Sequence, residues 1–417
     1  MRLQRSQWKR RDQLAEAQGR RLRELVNHAY RNVPFYHELF REAGVDPDSI
    51  TGAASIRKLP ILTKERVRST PLKQRTAAGF DESCCMPRST SGSTGIPITV
   101  LEEPRAKSHR AALHLRRLWA YGMRPTHTLC NAIPNVNAGG LTFGGAGLWG
   151  SVVRRKIKTL VLTGDLNEQI DLIFKWKPDV IIAAPSYFRD LASLIEEKGR
   201  RISFKVALPT GEMLDPPTRK LIGDTFHSEV YDFYGATELG GVAWECPTHN
   251  GYHINYESFV VECVRDGEPV AEGEPGDLCI SNLYRKATPM IRYLIGDAAT
   301  LVDDDCPCGR GLPLVKDIQG RVVDFIKTPD GGSISPYMIM FVLESVSGLA
   351  QYKVIQRSDY SIELLVRIVD CEVEPVLQSL RQHCKQLFGN MPHEIRIVGR
   401  IETSTAQKYR VVESDLA

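Results

Sequence analysis

The sequence predicts an α/β protein in two parts, a large domain followed by a small C-terminal α+β lobe. Three observations predict it. Between residues 128 and 210, short β-branched runs (TLCNAIP, TLVLT, DVIIAAP, KVALPT) alternate with helix-like stretches such as NEQIDLIFKW and YFRDLASLIEEKG. That alternation is the pattern of a sheet with buried parallel strands. From about residue 251 the runs lengthen and follow one another, as YHINYESFVVECV, DLCISNL and ATLVDD, which predicts a β-rich subdomain. The last stretch orders as strand, helix, two strands, helix and strand, a unit of its own.

Taken in order, residues 1–80 read as helices and loops, broken by Pro34 and Pro60, with Thr63 placed to cap a short helix in LPILTKERV. The opening MRLQRSQWKRRDQLAEAQGRRLRELV is basic, yet it lacks a continuous apolar run and fits an amphipathic helix with Leu14, Leu22 and Val26 near one face. After the loop STSGSTGIPITV comes EEPRAKSHRAALHLRRLWAYG, a helix ending at Gly122. In the C-terminal part, VDFIKTPDGGSIS makes a hairpin about Asp330-Gly331 and YMIMFVLESV a helix. QYKVIQRS and SIELLVRIV are strands about Asp359, PVLQSLRQHCKQLF a helix and EIRIVGRI a strand. The boundary divides the chain into residues 1–321, a large domain with a helical part over 1–80, and 322–417, a small lobe.

A chain of 417 residues is longer than one ordinary core accommodates, and its 42% hydrophobic and 25% charged composition is globular. A net charge of +4 is mild, and it does not point to nucleic acid. No run approaches the length of a membrane helix. Ten cysteines without a secretory leader predict reduced thiols and a cytoplasmic protein.

The loop at 89–100 has glycines that let the backbone approach a ligand, and hydroxyls that donate to one. It has no lysine, so it is not a Walker loop, and its spacing is not that of a nucleophile elbow. What remains is a cradle for a polyphosphate whose counter-charge comes from elsewhere, or a Ser/Gly linker. Further on, YDFYGATELGG carries Glu238 as its single acid, with a helix N-terminus capped by Thr237 as the plain alternative. MIRYLIGDAATL places Asp297 after a glycine at the end of a β run, suited to a sugar diol, and IQGRVVDFIK offers Arg321 and a hinge.

Hydroxyl/glycine loop, Y-G-A-T-E, R-Y-x-x-G-D, G-R-x-x-D-x-I-K and a late lysine in TSTAQKYR, in that order, resemble the adenylate-forming superfamily of AMP-forming acyl- and aryl-CoA synthetases. The resemblance is closest to the phenylacetate–CoA ligase and CapK-like branch, which NVPFYHELF, KLPILTKE and CPCGRGLP also resemble. It implies a large adenylate-forming domain and a small lobe. It also implies a ligase that turns a small carboxylic acid and ATP into an acyl-adenylate and pyrophosphate, then passes the acyl group to CoA. Carried over residue by residue, Ser91, Gly92, Ser93, Thr94 and Gly95 would wrap the ATP phosphates. Gly211 and Glu212 would lie near the adenine, with Tyr234 and Gly235 lining the base. Thr237 would contact the α-phosphate, Glu238 would hold Mg²⁺, Asp297 would take the ribose hydroxyls with Arg321 assisting, and Lys408 would come from the small lobe. Gln407 departs from the family, which places glycine before that lysine. Positioning and charge neutralisation are what such a transfer requires.

Cys246, Cys306, Cys308 and His253 form a Cys₃His set suited to a closed structural Zn²⁺ site, with His249 as the fallback for His253. A redox pair or a plain reduced turn is the alternative. The glycine-rich stretch 137–150, with Phe143 and Trp149, and Tyr187 in APSYF suit a flat slot for an aryl acid, or else simple packing. Two rival functions stay open: a stand-alone adenylating enzyme that loads a carrier protein or an amine, and a silent nucleotide-binding module. A homodimer is left open as well.

Overall fold

The computed structural model describes residues 2–90, 97–133, 156–162, 165–319, 325–334, 336–344, 346–368, 371–399, 401 and 412–416. The chain divides into two compact units, Met1–Arg88 with Thr99–Gly320, and Arg321–Ala417 with Ser89–Ile98.

The first unit begins with helices α1 (Arg2–Ser6), α2 (Arg11–Asn32) and α3 (Pro34–Glu42). Leu14, Leu22, Leu25, Val26 and Ala29 lie along one buried face of α2, the stripe that a 3.6-residue period lays down. Pro34 stops α2 and starts α3, because its fixed φ suits a first helical position. Two short helices follow, α4 (Lys64–Ser69) and α5 (Leu72–Arg75), and Thr63 caps α4 by accepting from the Arg66 N–H at 3.3 Å. Next come β1 (Met86–Ser89), β2 (Thr99–Glu102) and α6 (Pro104–Ala120), after which Gly122 turns the chain at φ +74°.

The α/β region holds β3 (Leu129–Ile133), β4 (Ile157–Val161), α7 (Leu166–Trp176), β5 (Val180–Ala183), α8 (Pro185–Glu197), β6 (Val206–Pro209), α9 (Pro216–Phe226) and β7 (Glu229–Val230). The five strands form a parallel sheet in the order β4-β3-β5-β6-β7. Both of its faces are buried, which explains the unbroken apolar runs. Cys130, Ile181, Ala183 and Ala207 face one core with Phe188, Leu191 and Phe226 of the helices. Leu129, Val180, Ile182, Val206 and Leu208 face the other, against Trp244 and Leu314 of the β-rich part.

That β-rich part comprises β8 (Phe233–Ala236), β9 (Gly240–Glu245), β10 (Tyr252–Ile254), β11 (Phe259–Arg265), β12 (Glu268–Pro269), β13 (Pro275–Asn282), β14 (Met290–Val302) and β15 (Leu314–Gln319). They join as one eight-stranded sheet, β12-β11-β13-β14-β15-β10-β9-β8. Strand β14 runs thirteen residues, and its register with β13 slips at two places.

The second unit has the hairpin β16 (Ile326–Lys327) and β17 (Ser333–Ile334), α10 (Pro336–Glu344), β18 (Leu349–Gln356), β19 (Ile362–Ile368), α11 (Val373–Phe388), β20 (His393–Ile397) and β21 (Val412–Ser414). Its four-stranded sheet, β20-β19-β18-β21, buries Val354, Leu364 and Val366 against Leu343, Leu380 and Phe388. No described helix is long and apolar enough to cross a membrane.

Candidate active site

The Y-G-A-T-E stretch folds as strand, turn and strand. Residues 237–239 turn the chain from β8 into β9, so the alternative of a helix N-terminus at Thr237 gives way to a hairpin turn. The hairpin is unusually tight. Gly235 lies opposite Gly241, and a Cβ on Gly235 would stand 2.5 Å from the Gly240 carbonyl oxygen, so only glycine fits there.

The turn is held by side chains from the end of β13 and the loop that follows it. Asn282 Nδ2 donates to the Leu239 carbonyl at 2.8 Å, and the Tyr284 hydroxyl donates to the same oxygen at 3.2 Å. Arg285, wholly buried, donates to the Glu238 carbonyl. The Glu238 carboxyl is buried and accepts from the Tyr293 hydroxyl at 3.1 Å. Burial pushes its pKa up, against the opposing pull of Tyr293, Arg285 and Arg68.

Asp297 lies in the interior of β14 rather than at the end of a β run, just after Gly296 at φ +82°. The backbone irregularity in this long strand turns the aspartate toward β8, and its Oδ2 accepts from the Tyr234 hydroxyl at 2.7 Å. Burial and the neighbouring Asp297 hold the Tyr234 phenol well above its ordinary pKa, so it is a donor. The structure thus gathers Tyr234, Gly235, Thr237, Glu238 and Asp297 around one hairpin.

Gly211 takes φ +86° in the turn after β6. Glu212 reaches the start of α8, where it accepts from the Ser186 N–H at 2.9 Å and the Ser186 hydroxyl at 2.7 Å. Its carboxylate therefore caps a helix whose own N-cap, Ala184, has no side-chain acceptor. Tyr187 is 4% exposed within the core of the parallel sheet, and its hydroxyl has no hydrogen-bond partner among the described residues. Ser91, Gly92, Ser93, Thr94, Gly95, Phe143, Trp149, Arg321, Gln407 and Lys408 lie outside the described residues.

A second constellation forms where β10 pairs with both β9 and β15. His253 on β10 stands opposite Trp244 and Leu314, which brings it beside Cys246, one residue past β9, and the 306–308 turn before β15. The ligand atoms of Cys246, His253, Cys306 and Cys308 all lie within 4.8 Å of one another. Cys246 Sγ and Cys306 Sγ are 3.5 Å apart, and Cys308 Sγ is 3.2 Å from His253 Nε2. His253 Nδ1 donates to the Leu312 carbonyl at 3.1 Å, which leaves the Nε2 lone pair facing the thiols. His249 does not join them. Its ring stacks on Tyr231, and Nδ1 lies 3.4 Å from Glu245.

Sequence reasoning missed the residues that clamp the hairpin, Asn282, Tyr284 and Arg285. They sit in SNLYRKATP, just upstream of the R-Y-x-x-G-D motif, and only the buried asparagine and arginine in an otherwise strand-like stretch hinted at them.

A hairpin that combines a buried carboxylate with a tyrosine–aspartate pair, on a parallel sheet joined to a β-rich sheet, defines an adenylate-forming type of enzyme. The AMP-binding enzyme family model matches residues 21–284, and the chain belongs to that family. It is similar to the phenylacetate-coenzyme A ligase of Thermus thermophilus, 30% identical over 367 residues that span 85% of this chain and 80% of that one. The phenylacetate-coenzyme A ligase of Escherichia coli is 32% identical over 70% of this chain and 68% of its own, and the protein CapK of Staphylococcus aureus 23% identical over 95% and 88%. Among solved structures, 2-hydroxyisobutyryl-CoA ligase in complex with 2-HIB-AMP and CoA shares the fold at a TM-score of 0.68, with 22% identity over 97% of this chain and 91% of that one.

Proposed function

We propose that this chain joins a small carboxylic acid to coenzyme A through an acyl-adenylate made from ATP. The observation that carries the reading is the hairpin at 233–241, which places the Tyr234–Asp297 pair and the Glu238 carboxylate together in a member of the AMP-binding enzyme family. The phenylacetate-coenzyme A ligases that match most of the chain support the acid-to-CoA half of it.

In this reading Asp297 binds the ribose diol through charge-assisted hydrogen bonds, oriented by Tyr234, and Gly235 leaves the base room. Thr237 contacts the α-phosphate. Glu238 suits a Mg²⁺ that meets the protein through one carboxylate and keeps phosphate oxygens as its other ligands, and such an ion would neutralise charge between carboxylate and phosphate. Lys408 and the hydroxyls of Ser91, Ser93 and Thr94 complete the neutralisation, on the evidence of sequence order. Gly211 and Glu212 lie near the adenine, and Glu212 also fixes the start of α8.

The Cys₃His cluster suits a structural Zn²⁺. Tetrahedral Zn–thiolate geometry sets sulfur–sulfur edges of about 3.8 Å, close to the 3.5 Å between Cys246 and Cys306. Four protein ligands leave no open position, so the ion would tie β9, β10 and the turn before β15 without entering the reaction. The ten free thiols fit a reducing compartment, and we place the protein in the cytoplasm on that ground.

Acid-dependent exchange of labelled pyrophosphate into ATP tests the first step, and CoA-dependent release of AMP tests the second. Absence of exchange with every acid of an aryl, fatty and amino acid panel overturns the reading. Elemental analysis of protein purified without chelators tests the metal: about one equivalent of zinc is expected, and less than about a tenth ends that assignment.

A further inference from the structure

Helix α6 buries three arginines, Arg110, Arg116 and Arg117, at 6%, 1% and 3% exposure. Two have carboxylate partners. Arg110 grips Glu102 through Nε at 2.9 Å and Nη2 at 3.0 Å, and Arg116 donates to Glu257 and to Asn255. Arg117 is different. Among the described residues no carboxylate oxygen lies within 4.0 Å of it, and its Nε has no hydrogen-bond partner. Its guanidinium lies over the Phe233 ring at 3.5 Å, and Nη2 donates to His114 Nδ1 at 3.0 Å. The nearest acid in its field is Asp232, whose two oxygens already accept from the Tyr252 hydroxyl and the Phe233 N–H. A buried cation without an anion is costly, and a ligand that brings the anion removes that cost.

Arg117 borders a space between α6 and β9, together with Arg110, His114, Gly241, Ala243 and Asn255. The space exists because β9 opens with residues of little bulk, Gly240, Gly241 and Ala243. It has room for about one water-sized group. What this wall offers is donors. Burial holds the His114 ring neutral, and since Nδ1 accepts from Arg117 its proton sits on Nε2. Asn255 Oδ1 already accepts from Arg116 and from Trp244 Nε1, while Nδ2 donates to the Gly241 carbonyl. The space lies beside the reacting hairpin: β9 leaves the turn that carries Thr237 and Glu238, and Gly241 is the residue opposite Gly235.

We propose that the acid activated by this chain carries a second anionic oxygen group, one oxygen of which enters the space between α6 and β9 with Arg117 as its counter-charge and His114 as a further donor. The proposal rests on the acid-activating reading above and narrows it, since an apolar aryl acid would leave Arg117 without an anion.

Pyrophosphate exchange with size-matched pairs tests it, hexanoate against adipate and phenylacetate against its ring-carboxylated analogue. We expect the doubly acidic member of a pair to be favoured at least about tenfold in kcat/KM. Arg117→Gln should remove that preference while changing exchange with the monoacids less than about threefold. Should that variant fail to fold, Gly241→Ala fills the same space, because its Cβ would meet only His114 Cε1, at 4.0 Å. It should cause the same selective loss. Equal or better exchange with the monoacids in the unmodified chain overturns the proposal and leaves acid activation standing. So does a bromide peak beside Arg117 in a soaked crystal without any preference for doubly acidic substrates, which would mark an inorganic anion site. Exchange with no acid at all removes both readings together.

Discussion

The Tyr234 hydroxyl donates to Asp297 Oδ2 at 2.7 Å, joining two strands whose residues stand 63 positions apart in the chain. The bond fixes the carboxylate in one orientation, with its charge held on a strand rather than on a loop. A charge-assisted hydrogen bond of this kind contributes roughly 1.5–3 kcal/mol. Tyr234→Phe should therefore raise the KM for ATP by about tenfold or more while the protein stays folded. Steady-state exchange kinetics with varied ATP check it, and an unchanged KM would detach the tyrosine from nucleotide binding.

The hairpin itself depends on one missing side chain. A methyl group on Gly235 would stand 2.5 Å from the Gly240 oxygen and 3.0 Å from the Gly241 Cα, both backbone atoms that cannot swing aside. Overpacking of this kind typically costs about 1–3 kcal/mol. Gly235→Ala should lower the unfolding free energy by that amount, measured in urea, whereas Gly241→Ala, with no contact closer than 4.0 Å, should stay within about 1 kcal/mol of the parent. Equal effects at both positions would contradict the geometry.

These two cases also show what sequence could and could not reveal. The parallel sheet was legible because both of its faces are buried, so each strand is a short apolar run between helices with clear ends, such as Asp165 before α7 and Asp215 before α9. The chemistry-bearing residues were legible as motifs in order. The partnerships among them were not. Tyr234 meets Asp297 only because β14 slips in register, and Arg285 meets the Glu238 carbonyl across 47 positions. No local pattern encodes either. The helix-capping role of Glu212 was hidden because its partner, Ser186, lies in a different β-α unit. Tyr187 stayed open between pocket wall and simple packing because a core tyrosine and a pocket tyrosine share the same neighbours in sequence.

Asp232, two residues before Tyr234, makes the protein's stability depend on pH. Burial raises its pKa to about 6, assisted by Glu245 and opposed by the Tyr252 hydroxyl, the Phe233 N–H and Arg219. An unfolded aspartate titrates near 3.9, so the folded state holds this proton more tightly. The stabilisation is complete below the unfolded value and is lost as pH rises through about 6. The whole effect is at most about 3 kcal/mol. Asp232→Asn stays neutral throughout, so it should flatten stability between about pH 4 and 6 and exceed the parent at pH 8. Urea unfolding at pH 5 and pH 8 distinguishes this from a purely local packing change, which would shift both values alike.

The turn that carries Cys308 also receives the start of the chain. Gly311 N donates to the Gln7 carbonyl at 3.0 Å, and Arg310 Nε donates to Gln7 Oε1 at 2.9 Å. The Arg310 guanidinium sits 4.7 Å from the Trp8 ring centre and 5.3 Å from that of Trp244, so one cation faces two aromatic rings. A Cβ on Gly311 would collide with the Lys9 carbonyl, and backbone on both sides leaves neither partner able to yield. Gly311→Ala should therefore detach residues 2–10 while the four side chains of the Cys₃His cluster keep their places. Trypsin should then cut after Lys9, Arg10 or Arg11 about tenfold faster than in the parent, since cleavage follows the population of the opened segment. Zinc content should remain at the parent's level. Unchanged cleavage would mean that the opening segment is held by Arg11 on the Asp303 and Asp304 carbonyls and by Arg116 on the Leu3 carbonyl rather than by this turn.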